Sequence, residues 1–426
     1  MSKNKEVEII NNKIELSTSN ENNNQISEEN NSLNVINNGS NDYIKLSNNI
    51  EGKKVSLMKR IEYIDIIETI AIFFVVYIHN NTIIGNTSMA NITLQFSSII
   101  SVPLFYMCNG TLLFSRKLNI KRLYKKSLMV FISIALWKII YALLSIGSIF
   151  FKIEKKEIFY YIIANNYLKG TYVPAGHFWF TNKLIALHSI FPIIKIIYDN
   201  YNFMMKYIYL YLFFCSFIHI EINEWLSYFC KKYKFNCFNI NPLNDYKIVE
   251  SCHICFYFLI GILFHNRFYN KKNSLKTNIL LLILFIFSFT FLIFCKYVQL
   301  GGTLKGDWVR LNYDYCRLAT VLVCSTFYCF ICSIDFSNWN ILNKICSFIS
   351  IRTMNIFIIH YFVGMRYGKY ENREKKSILR HIIKVFITIL ISFLLTEPIT
   401  FIPYLNFILN LYPQRKIKYK KIFCLT

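Results

Sequence analysis

The sequence predicts an all-α integral membrane protein, a bundle of about ten transmembrane helices preceded by a disordered N-terminal tail. Of its 426 residues, 54% are hydrophobic and 17% aromatic, a larger apolar share than a soluble domain usually carries. These residues also collect in separate blocks. At 1.5 Å per helical residue, roughly 20 residues cross a hydrocarbon core of ~30 Å.

The first segment of the chain differs from the rest. Residues 1–52 are rich in Asn, Ser and Glu and show no periodic apolar pattern. Such a segment cannot bury enough surface to offset the entropy lost on ordering. We therefore predict a disordered polar tail over 1–52, a multi-helix membrane domain over 53–412 and a basic cytoplasmic tail over 413–426.

The apolar blocks follow in order, and the first runs from Arg60 to Ile84. A span at 205–221 is short and rich in Tyr, which makes it the least regular of the set. The others cover roughly 93–114, 127–150, 178–198, 247–266, 278–299, 316–335, 345–365 and 380–397.

The distribution of basic residues predicts the orientation. Lys and Arg precede the first block, the loop 80–92 has no charged residue, and six basic residues follow the second block. Because cytoplasmic loops carry the excess of Lys and Arg, both termini are predicted to be cytoplasmic, in the cell (inner) membrane. With ten helices and a cytoplasmic N-terminus, the loop 366–380 would be external, and its basic residues conflict with that position. The net charge of +24 therefore fits a lipid bilayer as partner, and no nucleic acid.

Three ionisable side chains interrupt the first block: Asp65, Glu68 and His79. At 100° per residue all three share one helical face, with His79 ~21 Å beyond Asp65 along the axis. A charge at the bilayer centre costs at least ~2.5 kcal/mol, so this face is predicted to line a site inside the protein.

Motifs along the chain match one family in order. Asp65 and His79 are similar to a D-x-x-R…H opening helix, and Gly176–Phe180 matches a G-H-x-W-F signature. The remaining segments are Ser101–Gly110 (V-P-x-F-F-x-x-S-G), Lys121–Tyr141 with Trp137 (R-x-x-R…W) and Ile358–His360 (L-I-H). Over about residues 60–405 the chain resembles the membrane acyltransferase 3 family, and Ile402–Leu405 is closest to its single-domain sugar O-acetyltransferases.

The resemblance implies a reaction and its participants. An acetyl group would pass from acetyl-CoA, the donor, to a hydroxyl of a cell-surface glycan or lipid-linked sugar. His79 would be the catalytic base, since imidazole exchanges protons near neutral pH. Supporting or acceptor-site residues would be Asp65, Glu68, Asn109, His177, Trp179 and His360. The phosphates of CoA would be held by Lys121, Arg122, Lys125 and Lys126. We expect no metal site.

The sequence departs from the family pattern at three positions. Glu68 stands where the family has arginine, and Asn109 replaces a serine. If Trp137 sets the register, Met129 takes the place of the second basic residue of the third helix. Two other functions therefore stay open: a non-catalytic relative of the family, and a transporter or flippase of a lipid-linked sugar.

Single residues also have alternative interpretations. His79 and His360 could be core histidines bonded to helix carbonyls, and Trp179 could belong to an interfacial aromatic belt. Glu68 could form a local ion pair. Cys252 and Cys255 lie inside an apolar block, where small packing residues are the simpler interpretation.

Overall fold

The computed structural model describes residues 60–80, 97–146, 153–163, 167–168, 171–172, 175–233, 252–269, 273–299, 315–368 and 378–400. The chain divides into two units, Met1–Ile61 and Glu62–Thr426, and the helices below belong to the second. The predicted tails 1–52 and 413–426 lie outside the described residues, as does most of the basic loop 366–380.

The described part of the chain is almost entirely helical, which confirms the all-α class. Its α-helices are α1 (Glu62–Asn80), α2 (Ser101–Phe114), α3 (Ile120–Ile146), α4 (Lys155–Ile163), α5 (Trp179–Asn200), α6 (Asn202–Phe213), α7 (His219–Tyr233), α8 (Cys252–Phe268), α9 (Leu275–Gln299), α10 (Leu318–Ser333), α11 (Asn340–Gly368) and α12 (Ile378–Thr400). A 3-10 turn (Gly176–Phe178) precedes α5, and a π-helical segment (Phe214–Ile218) joins α6 to α7. Two-residue strands β1 (Tyr167–Leu168) and β2 (Thr171–Tyr172) pair antiparallel.

Each predicted block overlaps a helix of the structure, but the number of spanning helices is not confirmed. Among the described residues, seven helices are long and apolar enough to cross a membrane. They comprise Ser97–Phe114, Ile120–Ser145, Gly176–Asn200, Asn202–Ile222, Leu275–Cys295, Asn340–Gly364 and Leu379–Ile399. α8 and α10 are shorter apolar helices.

The predicted start of the third block, at 127, is wrong. α3 begins at Ile120, so its first turns contain basic residues that were expected to lie between the second and third blocks. The Asn119 side chain accepts a hydrogen bond from the Arg122 backbone N–H at 2.9 Å, which caps the helix N-terminus. An apolar-block criterion misses this turn because its side chains are charged.

α1 forms the centre of the bundle, where it packs against α2, α11 and α12. The Ser350 hydroxyl bonds Asp65 near the start of α1, and the His79 ring contacts His360 near its end, so α1 and α11 run parallel. Arg352 of α11 binds both carboxylate oxygens of Glu397 in α12, at 3.0 and 3.2 Å. A bidentate pair of this kind fixes the angle between the two side chains.

Two buried lysines tie the ends of helices to their neighbours. Lys195 in α5 donates to the Phe114 carbonyl at the end of α2, at 2.9 Å. Lys138 in α3 donates to the carbonyls of Tyr161 and Ile162 at the end of α4. At helix C-termini the last carbonyls have no partner within the helix, and a cation there can donate hydrogen bonds to them and interact favourably with the helix dipole. Lys138 thereby holds the end of α4 against α3.

Glycines allow α2 and α8 to approach each other closely. A Cβ atom at Gly110 would overlap the carbonyl of Phe258, and one at Gly261 would overlap the carbonyl of Met107. The two helix backbones are therefore in direct contact at these positions. Small residues of this kind are the usual means of close helix packing in membranes.

We predict that Gly110→Ala destabilises the protein by about 1–3 kcal/mol, because the added methyl must push α8 away from α2. The thermal unfolding midpoint in detergent should fall clearly below that of Ser145→Ala, a change at an exposed position of α3. Equal midpoints for the two variants would contradict the close packing of α2 and α8.

Candidate active site

Three histidines meet at the C-terminal end of α1. The His360 ring centroid lies 5.2 Å from that of His79 and 5.5 Å from that of His177. Tyr361 closes the group, since its ring lies 5.2 Å from both His79 and His177. Three elements that are distant in sequence therefore bring their imidazoles into one cluster, which we call the histidine cluster (His79, His177 and His360).

The 3-10 turn before α5 holds His177 in a buried position. Phe178 donates its backbone N–H to the Ala175 carbonyl at 3.2 Å, which closes the turn around His177. The His177 Nε2 lies 3.2 Å from the carbonyl oxygen of Ile358 in α11. Tyr141 of α3 donates its hydroxyl to the same oxygen at 2.6 Å. One carbonyl of α11 thus joins α3, α11 and the turn.

The hydrogen bonds assign the tautomers of two rings. A carbonyl oxygen can only accept, so the bond to Ile358 places the proton of His177 on Nε2. His360 Nδ1 lies 2.8 Å from the Phe357 carbonyl and therefore carries its proton. His177 Nδ1 and His360 Nε2 are left as acceptors, and both are buried without a hydrogen-bond partner among the described residues.

The His79 ring is half-buried and is positioned by its contacts with the rings of His360 and Tyr361. Its neighbours in the histidine cluster offer two acceptor nitrogens and no cation. An arrangement of neutral imidazoles suits the removal of a proton from a hydroxyl group. The interpretation of His360 as a fully bonded core histidine is only half correct, since Nδ1 is bonded and Nε2 is not.

The other end of α1 carries two carboxylates. The Ser350 hydroxyl lies 3.0 Å from Asp65 Oδ1 and 2.5 Å from Glu68 Oε2. Asp65 is only 6% exposed. A serine hydroxyl has a single proton, so both carboxylates compete for one donor. Ser350 therefore sets the register of α1 on α11 at the end remote from the histidine cluster.

Basic side chains gather around Lys126, which lies near Glu68, and we call them the basic cluster (Arg116, Arg122 and Lys126). Lys126 interacts electrostatically with Glu68, Arg116 and Arg122. Burial and then the charge of Arg122 lower the pKa of Arg116, which stands in the loop between α2 and α3. Crowded like charges repel one another, and a bound anion relieves that repulsion.

The four basic residues predicted from the sequence separate into two pairs. Arg122 and Lys126, one turn apart, belong to the basic cluster. All four side chains are exposed, but Lys121 and Lys125 make no hydrogen bond or ion pair with a described residue. Arg116 was missed as a site residue, although it belongs to the basic run between the second and third blocks.

The remaining predicted site residues have other contacts. Asn109 donates its amide to the Phe105 carbonyl of its own helix at 2.9 Å. Trp179 is 38% exposed, and its ring lies 5.9 Å from that of Tyr315. Sequence reasoning also missed Ser350, Tyr141 and Tyr361. Within the described residues, no group of three or more His, Cys, Asp or Glu side chains is arranged to hold a metal ion.

Comparison with known proteins adds one finding. The model of the acyltransferase 3 family, described as an acyltransferase domain, matches residues 61–397, which is most of the chain. This confirms the resemblance that the motifs predicted. No curated protein and no solved structure matches the chain.

We predict that Ser350→Ala lowers the stability of the protein by about 1–3 kcal/mol, because two carboxylates lose their shared hydrogen-bond donor. Ser288→Ala is the control, since this buried serine bonds only uncharged groups, Thr326 and the Phe285 carbonyl. Thermal unfolding in detergent measures both. A smaller loss for Ser350→Ala than for Ser288→Ala would show that Ser350 does not stabilise the carboxylates.

Proposed function

Because the chain belongs to the acyltransferase 3 family, matched over residues 61–397, we propose that it transfers an acetyl group from acetyl-CoA to a sugar hydroxyl. The acceptor proposed is a cell-surface glycan or a lipid-linked sugar. Family membership together with the apolar helices makes the protein an integral membrane acyltransferase. The main observation in support of acetyl transfer to a hydroxyl is the histidine cluster, with its two buried acceptor nitrogens.

The proposed reaction requires one proton transfer in each direction. His79 removes the proton of the acceptor hydroxyl while its oxygen attacks the thioester carbon. The C–O bond forms, the C–S bond breaks, and the thiolate of CoA takes the proton back from the imidazole. His177 and His360 contribute neutral acceptors beside His79. Because these neighbouring nitrogens are acceptors, the acceptor hydroxyl is the group that donates a proton to His79.

The donor is proposed to enter at the opposite end of α1. CoA carries phosphate groups, and Arg116, Arg122 and Lys126 supply the matching positive charge. Lys126 can hold phosphate as a point charge even without the planar fork of a second arginine on α3. Glu68, which replaces the family arginine, lies close enough to balance part of that charge.

The two ends of α1 are separated by roughly 21 Å, the rise over fourteen helical residues. We propose that the basic cluster faces the cytoplasm, where CoA is present, and that the histidine cluster lies toward the opposite side. Both termini would then be cytoplasmic, in the cell membrane. Cys230 in α7 is disulfide-bonded, and disulfides persist in oxidising compartments, which supports an external position for the end of α7.

His79→Gln is expected to lower the rate of acetyl transfer by about 10²–10⁴-fold, the usual contribution of a general base. The control is His265→Gln, because His265 bonds Tyr63 and lies outside the histidine cluster. Mass analysis of surface glycans from cells that carry each variant measures the acetyl group on the acceptor. Unchanged acetylation with His79→Gln would contradict the role of His79. Absence of any acyl difference between wild-type cells and cells without the gene would favour a transporter or a non-catalytic relative.

The orientation can be tested with single cysteines in a cysteine-free background. Glu154, before α4, is exposed and is expected to be external, whereas Ser274, before α9, is exposed and is expected to be cytoplasmic. A membrane-impermeant maleimide should label Glu154→Cys on intact cells and Ser274→Cys only after permeabilisation. The reverse pattern would invert the topology.

A further inference from the structure

The side chain of Asn355 lies in the interior of the bundle and makes no hydrogen bond with a described residue. Its side chain is 1% exposed, and neither the amide nitrogen nor the amide oxygen has a partner among the described residues. Trp137, 6% exposed, likewise has an indole N–H without a partner. Buried polar side chains almost always have partners, so each such exception needs an explanation.

These two residues lie at nearly the same level of the bundle, Trp137 on α3 and Asn355 on α11. Tyr141 of α3 donates its hydroxyl to the Ile358 carbonyl of α11, which places these positions side by side. Trp137 precedes Tyr141 by one helical turn, and Asn355 precedes Ile358 by nearly one turn. α3 and α11 run in the same direction, because Lys126 lies near Glu68 at one end and Tyr141 contacts Ile358 at the other.

The level of Asn355 is midway between the two ends of the site. Five residues separate it from Ser350, which binds the carboxylates, and five separate it from His360 in the histidine cluster. Each interval corresponds to a rise of about 7.5 Å. A molecule that reaches from the basic cluster to the histidine cluster has to pass this level.

We propose that Asn355 and Trp137 bind the amide group of the CoA pantetheine arm that is nearest to the thioester. This inference rests on the proposed function. The N–H and C=O of a trans amide point in opposite directions, so Asn355 Oδ1 accepts the ligand N–H on one side and Trp137 Nε1 donates to the ligand carbonyl on the other. Two unpartnered protein atoms thus match the N–H donor and the carbonyl acceptor of one amide.

The length of the ligand agrees with this placement. Two methylene groups separate the last pantetheine amide from the sulfur. A thioester that extends from an amide at the level of Asn355 therefore reaches nearly one helical turn farther along α11, to the level of Ile358. His177 Nε2 lies 3.2 Å from the Ile358 carbonyl, so binding of this amide would place the acetyl carbon at the near edge of the histidine cluster. Asn355 and Trp137 are in this sense positioning residues for the donor.

The test uses the full-length protein in nanodiscs and two probes, CoA and an analogue in which oxygen replaces the N–H of that amide. The wild-type protein should bind CoA about tenfold more tightly than the analogue, the usual effect of one lost hydrogen bond with an acceptor left unpaired. Asn355→Leu should bind both probes with the same reduced affinity, because it no longer has the oxygen that accepts the N–H.

Trp137→Phe gives a different expected pattern. Both probes retain the carbonyl. Trp137→Phe should therefore lower the affinities for CoA and for the analogue by a similar factor, and CoA should still bind about tenfold more tightly than the analogue. A structural role for Asn355 or Trp137 alone would not separate the two variants in this way. Ser288→Ala is the control. Ser288 of α9 bonds Thr326 of α10, outside the proposed site, so this variant should leave both affinities unchanged.

If Asn355→Leu still binds CoA about tenfold more tightly than the analogue, the inference is wrong. The proposed function is not affected by that result, because CoA binds. Failure of the wild-type protein to bind CoA would overturn both. Asn355→Leu should fold with a thermal midpoint at or above that of the wild type, since it removes a buried amide without partners. If Asn355→Leu does not accumulate, Asn355→Ala provides the same comparison of the two probes, and a preserved ratio there overturns the inference equally.

Discussion

The contact between α1 and α11 is the constraint on which the rest of the structure depends. Asp65, Glu68 and His79 lie on one face of α1, and ionisable side chains are costly against lipid. That face must therefore meet polar partners, and α11 supplies them at both ends: Ser350 at one and His360 at the other. Parallel packing of the two helices follows, and α2 and α12 pack against α1 beside it.

Interactions elsewhere in the bundle obey the same rule that buried polarity needs a partner. Arg352 and Glu397 form a two-bond ion pair between α11 and α12. Lys138 and Lys195 satisfy carbonyls at helix ends, where the backbone itself leaves acceptors open. Against this background, the acceptor nitrogens of His177 and His360 and the amide of Asn355 are exceptions. Other buried polar atoms of the described residues also lack a partner, among them His188 Nε2 and Ser216 Oγ, but these three groups lie on α11 or against it, where a substrate would find unused hydrogen-bonding groups.

The departures from the family pattern have a local physical consequence. Glu68 introduces a negative charge where the family carries a positive one, and it interacts electrostatically with Lys126, which in turn lies near Arg116. The balance of charge at this end of α1 is therefore distributed over α1, α3 and the loop before α3. The basic cluster can adjust to an anion, because its members lie on the loop before α3 and on α3 itself and are held apart by their like charges.

The sequence by itself determined the helical class, because the block length and the spacing of apolar residues follow from the width of a bilayer and the helical rise. It also identified the face shared by Asp65, Glu68 and His79, since 100° per residue is a property of one helix. Only the tertiary structure decided which helix meets that face. Ser350, Tyr141 and Asn355 carry no local signal, as a lone serine, tyrosine or asparagine in an apolar block looks like ordinary packing. The start of α3 also escaped the sequence, because its charged first turns resemble a loop until the Asn119 cap is seen. Partners that meet across the bundle depend on helix packing, and helix packing depends on side-chain shape over the whole chain rather than on any short pattern.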